Sequence, residues 1–195
     1  MNKTKKIYLV ILLLLFLLLI PLLQSLIFSH QKEGVITINK EITVDFIQSD
    51  QKNILLYFGY VGCSDICTPF LENLSRLYES EEFKKLQAHT DIFFINLTPY
   101  IEPSQADQFA KSFNKNFQGI YLTRKEVLSI DRNFKLFFSD DLSDTTKINH
   151  TDYLYHIQNT NNTKSLKNIY FTHPLSTQKL IDAMMYKTEL KMSDE

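Results

Sequence analysis

An α/β domain around a central, partly parallel sheet is what this chain of 195 residues predicts, and three observations predict it. Residues 53–58 and 91–97 are apolar runs too short for helices, the pattern of strands buried on both faces. Between them Phe70, Leu74, Leu77 and Tyr78 recur at helical spacing, with Leu71 and Leu86 widening the stripe. Strand, amphipathic helix and strand in that order make a right-handed βαβ unit with the two strands as central neighbours.

The elements follow in chain order. Residues 7–28 are apolar except for Tyr8, Pro21, Gln24 and Ser25, and Lys3, Lys5 and Lys6 precede them without any acid. At about 1.5 Å per helical residue the stretch reaches about 33 Å, enough for a hydrocarbon core of about 30 Å. This predicts an uncleaved transmembrane anchor over residues 1–28, lysines on the cytoplasmic side, rather than a signal peptide, since no Ala-x-Ala-like site follows. No Arg- and Ser-rich transit segment precedes it. The expected location is a bacterial inner membrane, crossed once, with the soluble domain in the periplasm. Residues 29–34 read as a polar linker and 35–195 as one folded domain.

Residues 35–38 and 42–46 alternate on either side of Asn39-Lys40-Glu41, which predicts a hairpin. Thr68 suits the N-cap of the first helix and Pro69 its first helical position. A second helix is expected over 104–117, with Ser104 and Asp107 as capping box, Ala106, Phe109, Ala110, Phe113 and Phe117 inward, and Gly119 as stop. Thr123 and Glu126 start a short helix through Ile130, followed by a strand around 134–138. Residues 140–146 form a polar loop that delivers the chain to His150. Strands at 152–158 and 166–171 read as antiparallel neighbours, and a helix over 176–190 buries Leu180, Ile181 and Met184. The sum is a thioredoxin-like central sheet with flanking helices and an N-terminal β-hairpin, preceded by one transmembrane helix.

The formal charge is −1, and setting aside Lys3, Lys5 and Lys6 leaves −4 on the rest, which is no nucleic-acid-binding balance. With 4 glycines and no Gly-rich phosphate loop, nucleotide chemistry is excluded as well. The chemistry lies in Cys63 and Cys67, the only cysteines, placed in the turn between the first central strand and its helix. A disulfide closing so small a loop adds little chain-entropy stabilisation, whereas two thiolates on one turn can hold a soft metal or exchange electrons. The helix amino terminus lowers thiol pKa, and Cys67, being nearest, is expected to gain most. Zinc wants four ligands, so copper in a three-coordinate S,S,N site fits the supply better. The nitrogen would come from His89, His150, His156 or His173, because His30 lies at the membrane boundary. His150 is best placed, where the polar loop enters a strand.

The segment Leu56-Tyr57-Phe58-Gly59-Tyr60-Val61-Gly62-Cys63-Ser64-Asp65-Ile66-Cys67 resembles the signature of the Sco/SenC copper proteins, whose turn reads Cys-Pro-Asp-Val/Ile-Cys. Leu97-Thr98-Pro99-Tyr100 lies where that family has Asp-Pro, and Asn149-His150-Thr151 where it has Asp-His-Ser/Thr. The resemblance covers nearly all the soluble part. It implies a membrane-anchored thioredoxin-like domain that binds one copper through Cys63, Cys67 and His150. Family members deliver copper to, or reduce the cysteines of, the dicopper centre in subunit II of cytochrome c oxidase. Here Ser64 replaces the family proline, and Thr98 and Asn149 replace two aspartates, so the site is less acidic and suits Cu(I) better than Cu(II). The expected function is thus a copper metallochaperone, a binding protein rather than an enzyme, partnered by cytochrome c oxidase subunit II or another copper or thiol protein. The alternative is a thiol-disulfide oxidoreductase with Cys63 attacking and Cys67 resolving.

Overall fold

The computed structural model describes residues 5, 7–8, 12–20, 34–140, 147–161, 163–171 and 175–189. The chain divides into two units, Met1–Gly34 and Val35–Glu195. In the first, residues 12–20 are helical, and among the described residues no helix is long and apolar enough to cross a membrane. Most of the expected anchor and linker lies outside the described residues.

The second unit is organised around β2 (Asn53–Gly59), buried at every position. It pairs in parallel with β3 (Thr90–Asn96), from Asn53 opposite Thr90 to Gly59 opposite Asn96. β3 in turn pairs in parallel with β4 (Phe117–Tyr121). On the other side of β2 lie β7 (Leu154–Thr160), β8 (Thr163–Tyr170) and β1 (Val35–Glu41), each antiparallel to its neighbour, giving the order β1-β8-β7-β2-β3-β4. Because successive side chains of a strand point to opposite faces, β2 feeds two cores. Leu55 and Tyr57 join α1 (Cys67–Tyr78) and α5 (Thr177–Glu189), while Ile54, Leu56 and Phe58 join α4 (Arg124–Phe134). The inward residues expected of the last helix, Leu180, Ile181 and Met184, are buried. The remaining elements are a short α2 (Lys84–Gln87), α3 (Pro103–Phe113), and a separate two-stranded sheet of β5 (Phe138–Asp140) and β6 (Ile148–His150).

Four local expectations are corrected. The N-terminal hairpin is absent: Asn39, at φ 54°, produces a bulge inside β1 instead of a reversal, and β1 pairs with β8. Ile42, Val44 and Ile47 are buried in the second core without forming a strand. The first helix begins at Cys67, ahead of Thr68, which leaves Pro69 at the third helical position; a missing N–H costs nothing there, since the first turn has no intrahelical acceptors. The second helix is capped by Glu102 with Gln105 and stops at Phe113, so Phe117 opens a strand rather than closing a helix. Asp107 serves that strand: its Oδ1 accepts from the Gly119 N–H at 3.2 Å, and Lys111 chiefly, with that N–H, holds its carboxyl below the usual range. Finally α4 runs to Phe134, whose ring packs on Phe58 and Tyr155, and Lys135 at φ 52° ends it. The loop expected at 140–146 falls, beyond Asp140, outside the described residues.

A polar row crosses the sheet from β1 to β2. The Thr37 hydroxyl donates to Asn168 Oδ1 at 3.1 Å, and Asn168 Nδ2 lies 3.5 Å from His156 Nδ1. His156 Nε2 lies 3.0 Å from Asn53 Oδ1. With Nε2 donating and Nδ1 accepting, the ring is neutral. Burial first, and Lys167 second, lower its pKa to about 4. The unfolded chain, with a histidine near 6.5, therefore takes up a proton that the folded state refuses between about pH 6.5 and 4. This group's stabilisation is complete above that window and falls by about 3 kcal/mol across it. Urea midpoints over pH 4–7 should fall more steeply in the unaltered chain than in His156→Gln; parallel profiles would sink the assignment.

Candidate metal centre

The turn from β2 into α1 is shaped by two glycines. Gly62 sits at φ +91°, a conformation side chains resist. Gly59 lets the helix start close over the strand, since a Cβ there would stand 2.8 Å from Cys67 Sγ and 3.0 Å from the Phe94 ring. Asn96, the last residue of β3, holds the turn from below. Its Oδ1 accepts the Val61 N–H at 3.1 Å and the Thr98 hydroxyl at 3.1 Å, and its Nδ2 donates to the Thr98 carbonyl at 2.6 Å. The Cys63 carbonyl accepts both the Thr68 N–H at 3.2 Å and the Thr68 hydroxyl at 2.9 Å.

Ile66, at the N-cap of α1, offers no side-chain acceptor. The Cys63 sulfur takes that part: the Cys67 N–H points to Cys63 Sγ at 3.4 Å. Both cysteines are free, with Cys63 4% and Cys67 0% exposed. The third group arrives from the small sheet. His150 ends β6, where Phe138 pairs with it, and the Thr151 N–H donates to the Phe137 carbonyl at 3.0 Å. His150 Nδ1 lies 3.0 Å from the Thr151 carbonyl oxygen. That oxygen can only accept, so Nδ1 carries the proton and Nε2 presents its lone pair 3.7 Å from Cys67 Sγ. Tyr60 meets the His150 ring edge-on, centroids 5.9 Å apart. The ligand atoms of Cys63, Cys67 and His150 all lie within 4.8 Å of one another.

The thiols ionise unequally. The Cys67 thiol donates to the Cys63 sulfur, and this bond, opposed by burial and aided by the N–H groups of Cys67 and Ile66, holds Cys63 well below the usual thiol range. Cys67 is pushed up, first by that same bond and then by burial. The expectation that Cys67 gains most from the helix end is thus corrected. The first free N–H groups of the helix aim back at the preceding turn, where Cys63 stands, while Cys67 is itself the first helical residue and lies beneath them.

Of the other histidines considered, His89 is exposed ahead of β3, His156 is bonded to Asn53 and Asn168, and His173 lies outside the described residues. Thr98 is buried and bonded to Asn96, while Asn149 is exposed on β6 between the buried Ile148 and the half-buried His150. By strand alternation Asn149 faces away from His150. Ser64 donates to Asp65 at 2.9 Å at the surface. The supporting role of Asn96 was not read from the sequence, although a polar residue ending an apolar strand, as Asn96 does, is a visible signal. Two soft sulfurs and one borderline nitrogen, with no carboxylate among them, suit a soft monovalent ion at low coordination number.

The model of the SCO1/SenC family matches residues 38–184. The SCO2-like protein RC0895 of Rickettsia conorii is 28% identical over 123 residues, 60% of this chain and 57% of that protein. The chain spans between 35% and 64% of the length of the curated relatives it matches. Arabidopsis thaliana ScoI, solved with copper bound, superposes with a TM-score of 0.59 at 19% identity, over 71% of this chain and 85% of that one. BsSco, described as a member of the Sco family of cytochrome c oxidase assembly proteins, superposes with a TM-score of 0.56 at 19% identity, over 80% and 97%. At these identities the structures share the fold.

Proposed function

Since this chain belongs to the SCO1/SenC family, we propose that it is a copper metallochaperone that holds Cu(I) through Cys63, Cys67 and His150. The observation that carries the reading is the convergence of two sulfurs and one imidazole nitrogen within 4.8 Å, their ring tautomer fixed by the Thr151 carbonyl. Copper here is cargo. A three-coordinate Cu(I) leaves room for a partner's thiolate or thioether to join before a donor ligand leaves, so the ion passes without becoming free. The partner is cytochrome c oxidase subunit II, at its dicopper centre, or another copper or thiol protein. Anaerobic Cu(I) titration of the reduced full chain against a strong competing chelator should find one tight equivalent; none would end this reading.

A second reading, thiol-disulfide exchange, is favoured by the lowered Cys63 thiol above the protonated Cys67. In it the Cys63 thiolate attacks a partner disulfide, one partner sulfur leaves as thiolate, and Cys67 then displaces the other, so that two electrons pass to the partner and Cys63–Cys67 closes. Absent copper binding together with a measurable dithiol potential would select it.

We place residues 1–28 as a single-pass anchor in a bacterial inner membrane, 29–34 as linker and 35–195 in the periplasm, on the strength of Lys3, Lys5 and Lys6 before the apolar stretch. A reporter fused after Glu195 should be active only on the periplasmic side, and cytoplasmic activity would overturn the placement.

A further inference from the structure

A groove of about 650 Å³ follows α1 and reaches the metal centre. Asp65 and Ile66, between the two cysteines, line its near end, and Ser80 and Glu82, past the close of α1, line its far end. Asp152, two residues beyond His150, and Leu175 and Thr177, where the chain enters α5, line it as well. Its floor is apolar, since Phe70, Leu74 and Leu77 border it with their buried face. At the cysteine end Ile66 is 45% exposed, and Pro69, three residues on, is exposed beside it. An apolar patch continuous with a metal site marks a place where another molecule sits.

From Ile66 to Leu77 the helix advances about 16 Å, at about 1.5 Å per residue. A volume drawn out over that length suits about five residues of extended chain, at about 3.3 Å each, better than a compact small molecule. Its rim is acidic: Asp65, Glu82 and Asp152 bring three carboxylates, while Arg76 brings one guanidinium, which donates to Asn73 Oδ1. The described lining residues thus carry a net charge of −2. Resting on the copper reading above, we propose that this groove docks an extended segment of the protein with which copper is exchanged, a segment bearing apolar side chains and at least one lysine or arginine. Charge selects the segment and the apolar floor holds it. Because one end of the groove is the cysteine turn itself, a thiol or thioether on the docked segment meets the ion as an intramolecular ligand would, at high effective concentration.

The probe is the dye-labelled peptide Leu-Lys-Leu-Gly-Cys, with Leu-Glu-Leu-Gly-Cys and Ser-Lys-Ser-Gly-Cys as controls. Fluorescence anisotropy with the reduced full chain in lipid nanodiscs should show the first binding about tenfold or more tightly than either control, because one control meets like charge and the other lacks the apolar contacts. Salt at about 1 M should narrow the gap to the glutamate peptide, as screening requires. Glu82→Lys changes an exposed side chain at the end remote from the cysteines. It should bring the lysine and glutamate peptides within about threefold of each other and leave Cu(I) affinity unchanged. Equal binding of the three peptides, binding that empty nanodiscs reproduce, a chain dimer that closes the groove to all three, or a charge preference that survives Glu82→Lys overturns the proposal. Tight Cu(I) binding without peptide selectivity spares the chaperone and ends the groove; selective peptide binding in a chain that holds no tight Cu(I) spares the groove and ends the chaperone.

Discussion

Cys63→Ser and Cys67→Ser are each expected to remove tight Cu(I) binding altogether, with the fold intact. Two thiolates supply most of the bonding to a soft ion, and a neutral, hard hydroxyl cannot replace either. The substitution is nearly isosteric, and at position 63 a serine oxygen is a good acceptor for the Cys67 N–H that the sulfur now takes, so α1 keeps its cap. His150→Ala should instead weaken binding by about tenfold or more, at least what the loss of a supporting group costs. Competition titration alongside circular dichroism separates these outcomes. Unchanged affinity in either cysteine variant would rule out this ligand set.

Gly119→Ala is expected to be the most destabilising single-methyl change in the domain. A Cβ there would stand 1.9 Å from the Ala106 carbonyl oxygen and 2.5 Å from the Asp107 nitrogen. Both are backbone atoms of α3, so no side chain can swing away, and the helix must lift off β4. That lift would separate Ala106 and Ala110 from the sheet and break the Asp107 bond to the Gly119 N–H. Overpacking against rigid backbone costs about 3 kcal/mol or more. Urea unfolding should show a lower midpoint at unchanged slope, and a change within about 1 kcal/mol would mean that α3 sits less tightly on β4 than described.

The sequence made the frame legible where physics is periodic. Asn53 to Gly59 and the stripe of Phe70, Leu74, Leu77 and Tyr78 announced strand and helix because burial is regular there. It misled where one residue type serves two ends. Gly119 looked like a helix stop because glycine is common past helices, yet it is a strand residue selected by the closeness of α3. Asn39 looked like a hairpin turn, yet a left-handed residue can as well make a bulge, and the choice is made by β8, more than a hundred residues away. At the site, the three candidate ligands could be named from motif and order, while the rank of the two thiols could not. That rank depends on which sulfur the helix N–H groups face, a matter of angles that spacing does not encode.

The unequal depth of the two sulfurs sets a sequence of events for any ion they share. Cys67 stands at the floor, beneath Cys63 and the half-buried His150, so an approaching partner would reach such an ion past these two. The Cys63 and His150 bonds would then be exchanged before the Cys67 bond, which keeps its grip like the hind hand in a baton pass. Loading runs the same steps backwards, so the floor ligand is the last to let go in one direction and the first to close in the other.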